Sequence, residues 1–296
     1  FSKQFEILGA VVSFPVAGGT TIQVTNKGSR IMQLQEQVDE LKKLLGSNAP
    51  RPLFESLKGR LLYAAGHTYG RCTQLACQLL HKFGGEGPST KVSPQLIHVI
   101  SHALSLLMES KPRTVESWAE CPPLLLFTDG AAEESFERVT HGAVLVDPWK
   151  QTSYYFGDQI PAEFLRLWTR SGKRQVIAQA EVFPVVIAKS TWEESLRGRS
   201  ILWFLDNESA RMALIRNFSG VLDNFFLLQM NAAMDVKVQA RNWYSRVPSK
   251  SNPADDASRL LFSDYKNSIR SKPDYVPALE FLNESWKLAS MLEVGR

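Results

Sequence analysis

Cysteine and histidine are scarce in this 296-residue chain, and no apolar run approaches the length of a membrane span. The three cysteines, Cys72, Cys77 and Cys121, are odd in number and lack metal-ligand spacing, so reduced core thiols are expected. His98 and His102 stand four apart on a predicted helix, as metal ligands can. No catalytic Glu lies between them, so a packed pair is expected. No signal peptide opens the chain, which points to the cytoplasm or nucleus and to no membrane contact. The Asn-x-Ser triplets at Asn207, Asn217 and Asn283 then read as chance. The first residue is Phe, already inside a strand-like pattern, so a piece of a longer polypeptide is expected. What is present is ordinary: 44% hydrophobic and 22% charged residues, enough for one large or two medium domains. A net charge of +4 and pI near 8.9 are compatible with a nucleic-acid partner without establishing one.

Two blocks follow from the patterning. Residues 5–14 read as a strand, residues 15–20 turn the chain, and residues 21–25 return as a second strand. Ile31, Leu34, Val38, Leu41 and Leu45 give residues 30–45 one apolar helical face, closed by Gly46. A helical region over residues 53–83, broken at Gly66 or Gly70, and a helix starting at Ser93-Pro94 complete a hairpin-plus-helices region. After Lys111-Pro112-Arg113 the pattern changes. Strands are expected at 124–129, 142–147, 153–157, 200–205 and 237–247, with helices at 175–190, 207–217, 221–234 and from Ala254. Three strands before the first long helix, then βα alternation, predict an α/β fold with a mixed five-stranded sheet. Another helix is expected over residues 276–292.

Four acidic positions then stand out. Leu124-Leu-Leu-Phe127 is a short buried strand, and Asp129-Gly130 follows at its end. Alone, that ending also fits a plain turn. Glu181 lies in an apolar helix with Ala178 and Val185 on its stripe; Asp206 ends Ile201-Leu-Trp-Phe-Leu205; Asp255 and Asp256 open the last short helix. Each has a bland alternative as helix cap, dipole partner or surface residue. Together, in the order strand-end Asp, helix Glu, strand-end Asp, helix-start Asp, they suggest like charges gathered in one cleft and neutralised by hard divalent cations, Mg²⁺ or Mn²⁺. Two such ions ~3.5–4 Å apart can clamp the attacking and leaving oxygens of a phosphodiester.

The carrying residues Thr128-Asp-Gly-Ala131, Ala180-Glu181, Leu205-Asp-Asn207 and Val247-Pro-Ser-Lys-Ser-Asn-Pro-Ala-Asp-Asp-Ala-Ser-Arg259 resemble the ribonuclease H domain of retroelement reverse transcriptases. The last segment is most similar to hepadnavirus polymerases and tyrosine-recombinase-type retrotransposons. The resemblance implies a ribonuclease H-like domain over 118–262, preceded by a thumb/connection-like region over 1–117 and followed by a helical tail over 263–296. Nothing resembling the polymerase motif Tyr-x-Asp-Asp is present, so the palm and fingers would be a missing part of the same polypeptide.

Carried over, Asp129, Glu181 and Asp206 match three catalytic, metal-binding carboxylates. For the fourth, counting from Asn252 favours Asp256, whereas the Ala-Asp dipeptide and the spacing to Ser258-Arg259 favour Asp255, the residue chosen here. The loop Tyr244–Asn252 lacks the His that many relatives carry. The implied reaction is two-Mg²⁺ hydrolysis of the RNA strand of an RNA–DNA hybrid, with the RNA read through its 2′-hydroxyls. Arg166, Arg170, Lys173, Arg174, Arg197 and Arg199, with Trp168, Trp192 and Asn207, are candidate nucleic-acid contacts. Integrases and transposases place Glu last among their acids, and proofreading exonucleases place a Glu where Ala131 stands, so neither pattern matches. The remaining alternative is an inactive ribonuclease H-like module that clamps hybrid for a neighbouring polymerase.

Overall fold

A computed structural model of the chain describes residues 3–14, 20–84, 89–116, 121–132, 138–169, 176–219 and 223–283. Its contacts divide the chain into two compact units, Phe1–Glu120 with Asp235–Gln239, and Cys121–Met234 with Ala240–Arg296.

The first unit contains β1 (Gln4–Ile7), β2 (Ala10–Ser13), β3 (Thr21–Asn26), α1 (Gly28–Lys43), β4 (Asn48–Pro50), α2 (Arg51–Ala65), α3 (Gln74–Gly84), β5 (Ser89–Lys91), α4 (Pro94–Glu109) and β6 (Arg113–Glu116). Strands β1-β2-β3-β6 form an antiparallel sheet in that order. The single strand expected over 5–14 is therefore a hairpin. Leu8 and Gly9 both take positive φ, 49° and 80°, and the Arg30 guanidinium fills the place a Cβ on residue 9 would need. Apolar alternation alone does not reveal such a tight turn. The helices pack through the predicted stripes, Leu34, Val38 and Leu41 on α1 and Leu96, Ile100 and Leu104 on α4. Ser93 caps α4 by accepting from the Leu96 amide at 3.2 Å, with Pro94 in the first turn. Cys72 and Cys77 are buried thiols, each pushed up to about 11 chiefly by burial, as inert core residues should be.

The second unit contains β7 (Leu124–Ala132), β8 (Val139–Asp147), β9 (Thr152–Gln159), α5 (Ala162–Thr169), α6 (Ile177–Thr191), α7 (Glu193–Leu196), β10 (Ser200–Leu205), α8 (Glu208–Arg216), most of α9 (Asp223–Val238), β11 (Arg241–Arg246), α10 (Ala254–Ser258) and β12 (Ile269–Arg270). The sheet order is β11-β10-β7-β8-β9-β12. Strands β7, β8 and β9 form an antiparallel meander, while β10 runs parallel to β7 and β11 parallel to β10. This is the mixed, helix-flanked α/β sheet expected, extended by one two-residue strand. Helix α5 was not foreseen. Its Phe164, Leu167 and Trp168 bury against the domain, and Phe164 and Trp168 meet Phe183 of α6. Helix α6 lies across β7 and β8 and is buried at every position from Gln179 to Ser190, so its sequence shows no polar face.

Past residue 262 the chain continues to pack on this unit. β12 pairs with β9, Trp192 Nε1 donates to Ser271 Oγ at 2.9 Å, and Ala278 and Leu282 are buried. Residues 276–283 are helical; the rest of the helix expected to residue 292 lies outside the described residues. Tyr275 is the anchor. Its hydroxyl lies 2.7 Å from Nε2 of the fully buried His141 and donates to Asp158 Oδ2 at 3.3 Å. Burial pushes His141 down to about 3, so the ring is neutral. A proton on Nε2 serves the Tyr275 oxygen, leaving Nδ1 as the unpartnered acceptor. Tyr275→Phe strands that N–H in an apolar pocket and should destabilise the protein by about 1–3 kcal/mol. Denaturant unfolding of the two proteins checks this, and equal stability would show that the segment is not anchored here.

Candidate functional site

The parallel pairing of β7 and β10 brings two acids level. Phe204 pairs with Phe127, and two further residues along each strand stand Asp206 and Asp129. Helix α6 supplies the third. It crosses β7 so closely that a Cβ on Gly130 would lie 2.4 Å from the Ala180 carbonyl oxygen and 2.8 Å from the Glu181 nitrogen. Only glycine permits that approach, which is why Glu181 arrives beside Asp129. The strand expected to end at Asp129 instead continues to Ala132, paired with β8 throughout, so Gly130 is a packing requirement inside β7 and not a turn after it. The carboxylates of Asp129, Glu181 and Asp206 each offer an atom within 4.8 Å of the others. Among the described residues no other group of three His, Cys, Asp or Glu does so.

A second set of glycines seats the closing segment. Cross-strand register places Asp129, Gly142 and Gly157 in one row over β7, β8 and β9. A Cβ at 142 would meet the Ser258 nitrogen at 2.4 Å, and one at 157 would meet the Ala257 carbonyl at 2.0 Å. Helix α10 therefore lies backbone-first on the sheet beside Asp129. Asn252 locks the approach to it, donating from Nδ2 to the Thr128 carbonyl at 3.1 Å and accepting from the Ala254 amide at 3.1 Å. The bare row and Asn252 were not singled out from sequence as site-builders. Gly142 and Gly157 sit in unrelated strands, and only the register aligns them.

Asp129 and Glu181 are buried, and burial disfavours the charge on both. Burial, with the neighbouring Asp129 and Asp206 charges adding, pushes Glu181 up to about 9, against hydrogen bonds from Asn207 and the Gly130 backbone. Burial first, then Asp206 and Asp255, push Asp129 up to about 6, against Ser258 and Arg259. Two buried oxygens, Glu181 Oε2 and Asp206 Oδ1, have no hydrogen-bond donor, and among the described residues none of the three acids forms an ion pair. A converging set of hard carboxyl oxygens, two of them without a donor, fits a divalent cation, whose charge would favour the ionised acids.

The other sequence candidates divide. Asn207 caps α8, its Oδ1 accepting from the Ala210 amide at 3.0 Å, and its Nδ2 lies 3.5 Å from Glu181 Oε1. Asp255 is half-exposed, accepts from Arg259 Nε at 3.0 Å, and is close enough to raise Asp129, yet it falls outside the 4.8 Å group, as does Asp256. Arg197 and Arg199 are not brought to the acids. They lead into the N-terminal end of β10, whereas Asp206 follows its C-terminal end, and ~3.3 Å per residue separates the ends of this strand of 6 residues by roughly 20 Å. Both are engaged there, Arg197 with Glu193 and Glu194, Arg199 with Asp147 and the Pro122 carbonyl. Arg166 pairs with Glu163, and Trp168 and Trp192 are core residues with no face for a base. Arg170, Lys173 and Arg174 lie outside the described residues.

Fold and site together define a mixed α/β domain with a buried acid cluster suited to a divalent cation. No protein-family model and no curated protein matches the chain. Among solved structures it is similar to RNase H1 from the halophilic archaeon Halobacterium salinarum NRC-1, at 17% identity and TM-score 0.38 over 48% of this chain and 99% of that one. It is also similar to the N-terminal RNase H domain of rv2228c from Mycobacterium tuberculosis, solved as a fusion with maltose-binding protein, at 15% identity and TM-score 0.38 over 47% and 98%. Likeness at this level concerns the fold alone; any functional weight falls on this chain's own acids.

A carboxyl that holds its proton more tightly folded than unfolded makes the protein less stable as pH rises from its unfolded value, 4.5, towards about 9. In chelator, stability should therefore fall across that window. Glu181→Gln, which cannot ionise, should flatten the profile and raise the melting temperature at pH 8 by several degrees, at about 2–4 °C per kcal/mol. Thermal melts of both proteins from pH 5 to 9 check this, and parallel profiles would contradict it.

Proposed function

We propose that the chain is a divalent-metal-dependent endonuclease that hydrolyses the RNA strand of RNA–DNA hybrids, as the nuclease portion of a retroelement reverse transcriptase. The observation that carries this reading is the convergence of Asp129, Glu181 and Asp206 with two buried oxygens left unpartnered. The retroelement context is supported by the segment Asn252-Pro-Ala-Asp-Asp-Ala-Ser-Arg259, which seats its helix beside Asp129.

Asp129, Glu181 and Asp206, with Asp255 at the rim, would hold two Mg²⁺ or Mn²⁺ ions. When bound, such ions stabilise the charge that builds on a phosphodiester during hydrolysis. The chain's own contribution is to fix the acids. Gly130 admits Glu181, the Asn207 cap reaches Glu181 from the neighbouring strand end, and burial keeps water from screening the cluster. Asp255 would have to release Arg259 to join the set. That pairing is also the observation that favours the second reading, a hybrid-binding module without catalysis.

Cleavage of a labelled RNA–DNA hybrid in Mg²⁺ separates the two readings, with single-stranded RNA and duplex DNA as comparison substrates. The parent chain should cut the RNA strand of the hybrid. Asp129→Asn, Glu181→Gln and Asp206→Asn should each fall to background, Asp255→Asn should lose most activity, and Asp256→Asn should retain it. Hybrid binding without cleavage, at the rate of the Asp129→Asn, Asp206→Asn double variant, would establish the module reading instead.

A further inference from the structure

Each carboxylate of the cluster is met on one oxygen by a neutral donor. Ser258 Oγ donates to Asp129 Oδ2 at 2.5 Å, Ser249 Oγ donates to Asp206 Oδ2 at 2.7 Å, and Asn207 Nδ2 lies 3.5 Å from Glu181 Oε1. On Glu181 and Asp206 the opposite oxygens are the two buried atoms without a donor. Two of these three donors, Ser249 and Ser258, come from the one short segment that also carries Asp255, and neither serine has a role in the proposed chemistry so far.

That segment is fixed at several points. Ser249 opens a 3₁₀ turn over Ser249–Ser251, closed by the Ser251 amide on the Pro248 carbonyl at 2.8 Å and the Asn252 amide on the Ser249 carbonyl at 3.0 Å. Asn252 ties the next residues to β7, and the Tyr265 hydroxyl donates to the Pro253 carbonyl. Ser258 ends α10 on the glycine row and is fully buried. A serine there can simply bond back along its own helix, and the Asp255 carbonyl is in reach at 2.8 Å. The hydroxyl has one proton, however, and a carboxylate is the stronger acceptor.

The chemistry of the donors matters. The terminal torsion of an Asp side chain is broad, so a carboxylate without a hydrogen bond rotates freely. A hydroxyl fixes one oxygen and so gives the other a defined direction, while adding no positive charge to compete with a cation. A Lys or Arg in either place would occupy the site as its counter-ion.

We propose that Ser249 and Ser258 are positioning residues, each holding one oxygen of an aspartate of the cluster, and that the segment carrying them sets the affinity of the acid cluster for a divalent cation. This rests on the metal-dependent reading above. Partners of metal ligands of this kind are typically worth 10–100-fold in affinity.

The test is Mn²⁺ binding by calorimetry to the full chain with no nucleic acid present, together with the metal-free melting temperature and the Mg²⁺ concentration that half-saturates hybrid cleavage. Ser249→Ala and Ser258→Ala should each weaken Mn²⁺ binding by about 10–100-fold and raise the half-saturating Mg²⁺ in step. Ser249 is exposed, so Ser249→Ala should keep the parent's metal-free melting temperature, and Ser249→Thr, which retains the hydroxyl, should restore binding. The Ser249 pair keeps the test decisive if Ser258→Ala fails to fold. Parent-like Mn²⁺ affinity in both alanine variants, or failure of Ser249→Thr to restore what Ser249→Ala loses, would overturn the proposal while leaving the nuclease reading intact. A parent chain that binds no Mn²⁺ and cuts no hybrid would overturn both.

Discussion

Three carboxylates with oxygens within 4.8 Å of one another repel, and two of them are buried where water cannot screen the repulsion. Nothing in ordinary packing favours that arrangement. The chain reaches it by removing side chains from the sheet wherever backbone must approach. Gly130 lets α6 settle onto β7 and deliver Glu181, and Gly142 and Gly157 let α10 settle beside Asp129. Larger residues at these points would meet the backbone of α6 and α10 and keep both helices from seating this closely.

The same constraint explains the directionality of the second unit. The parallel pair β7 and β10 carries Asp129 and Asp206 level at one side of the sheet, and that is where the closing segment from Ser249 to Ser258 folds over. The opposite edge carries Arg199 paired with Asp147, a compensated surface rather than a second site. Residues 265–283 brace the sheet that aligns the acids, Tyr275 through His141 of β8 and β12 through its pairing with β9.

Much of this was legible in the residues. The buried strand before Asp129, the matching strand before Asp206, the apolar helix interrupted by Glu181 and the Asn252–Arg259 segment all announce themselves locally, by composition and by what ends an element. What was not legible depends on register and handedness of approach. The hairpin at Leu8-Gly9 is hidden in an apolar run, because a two-residue turn leaves alternation nearly intact. Helix α5 follows the third strand directly and is short. Arg197 and Arg199 are candidates by charge alone, and charge does not reveal that they lie before β10, at the end away from Asp206. Ser258 was visible as part of a motif, but its hydroxyl's partner lies 129 positions away and is fixed only by how α10 rests on two glycines.

The proposed nuclease depends on the acid cluster being a divalent-cation site. The most direct measurement is anomalous scattering from crystals of the full chain soaked in Mn²⁺. The prediction is a peak bounded by Asp129, Glu181 Oε2 and Asp206 Oδ1, with the two serine hydroxyls still on the outer oxygens of their aspartates. Ordered carboxylates with no peak between them at millimolar Mn²⁺, or Mn²⁺ bound only elsewhere, would contradict it.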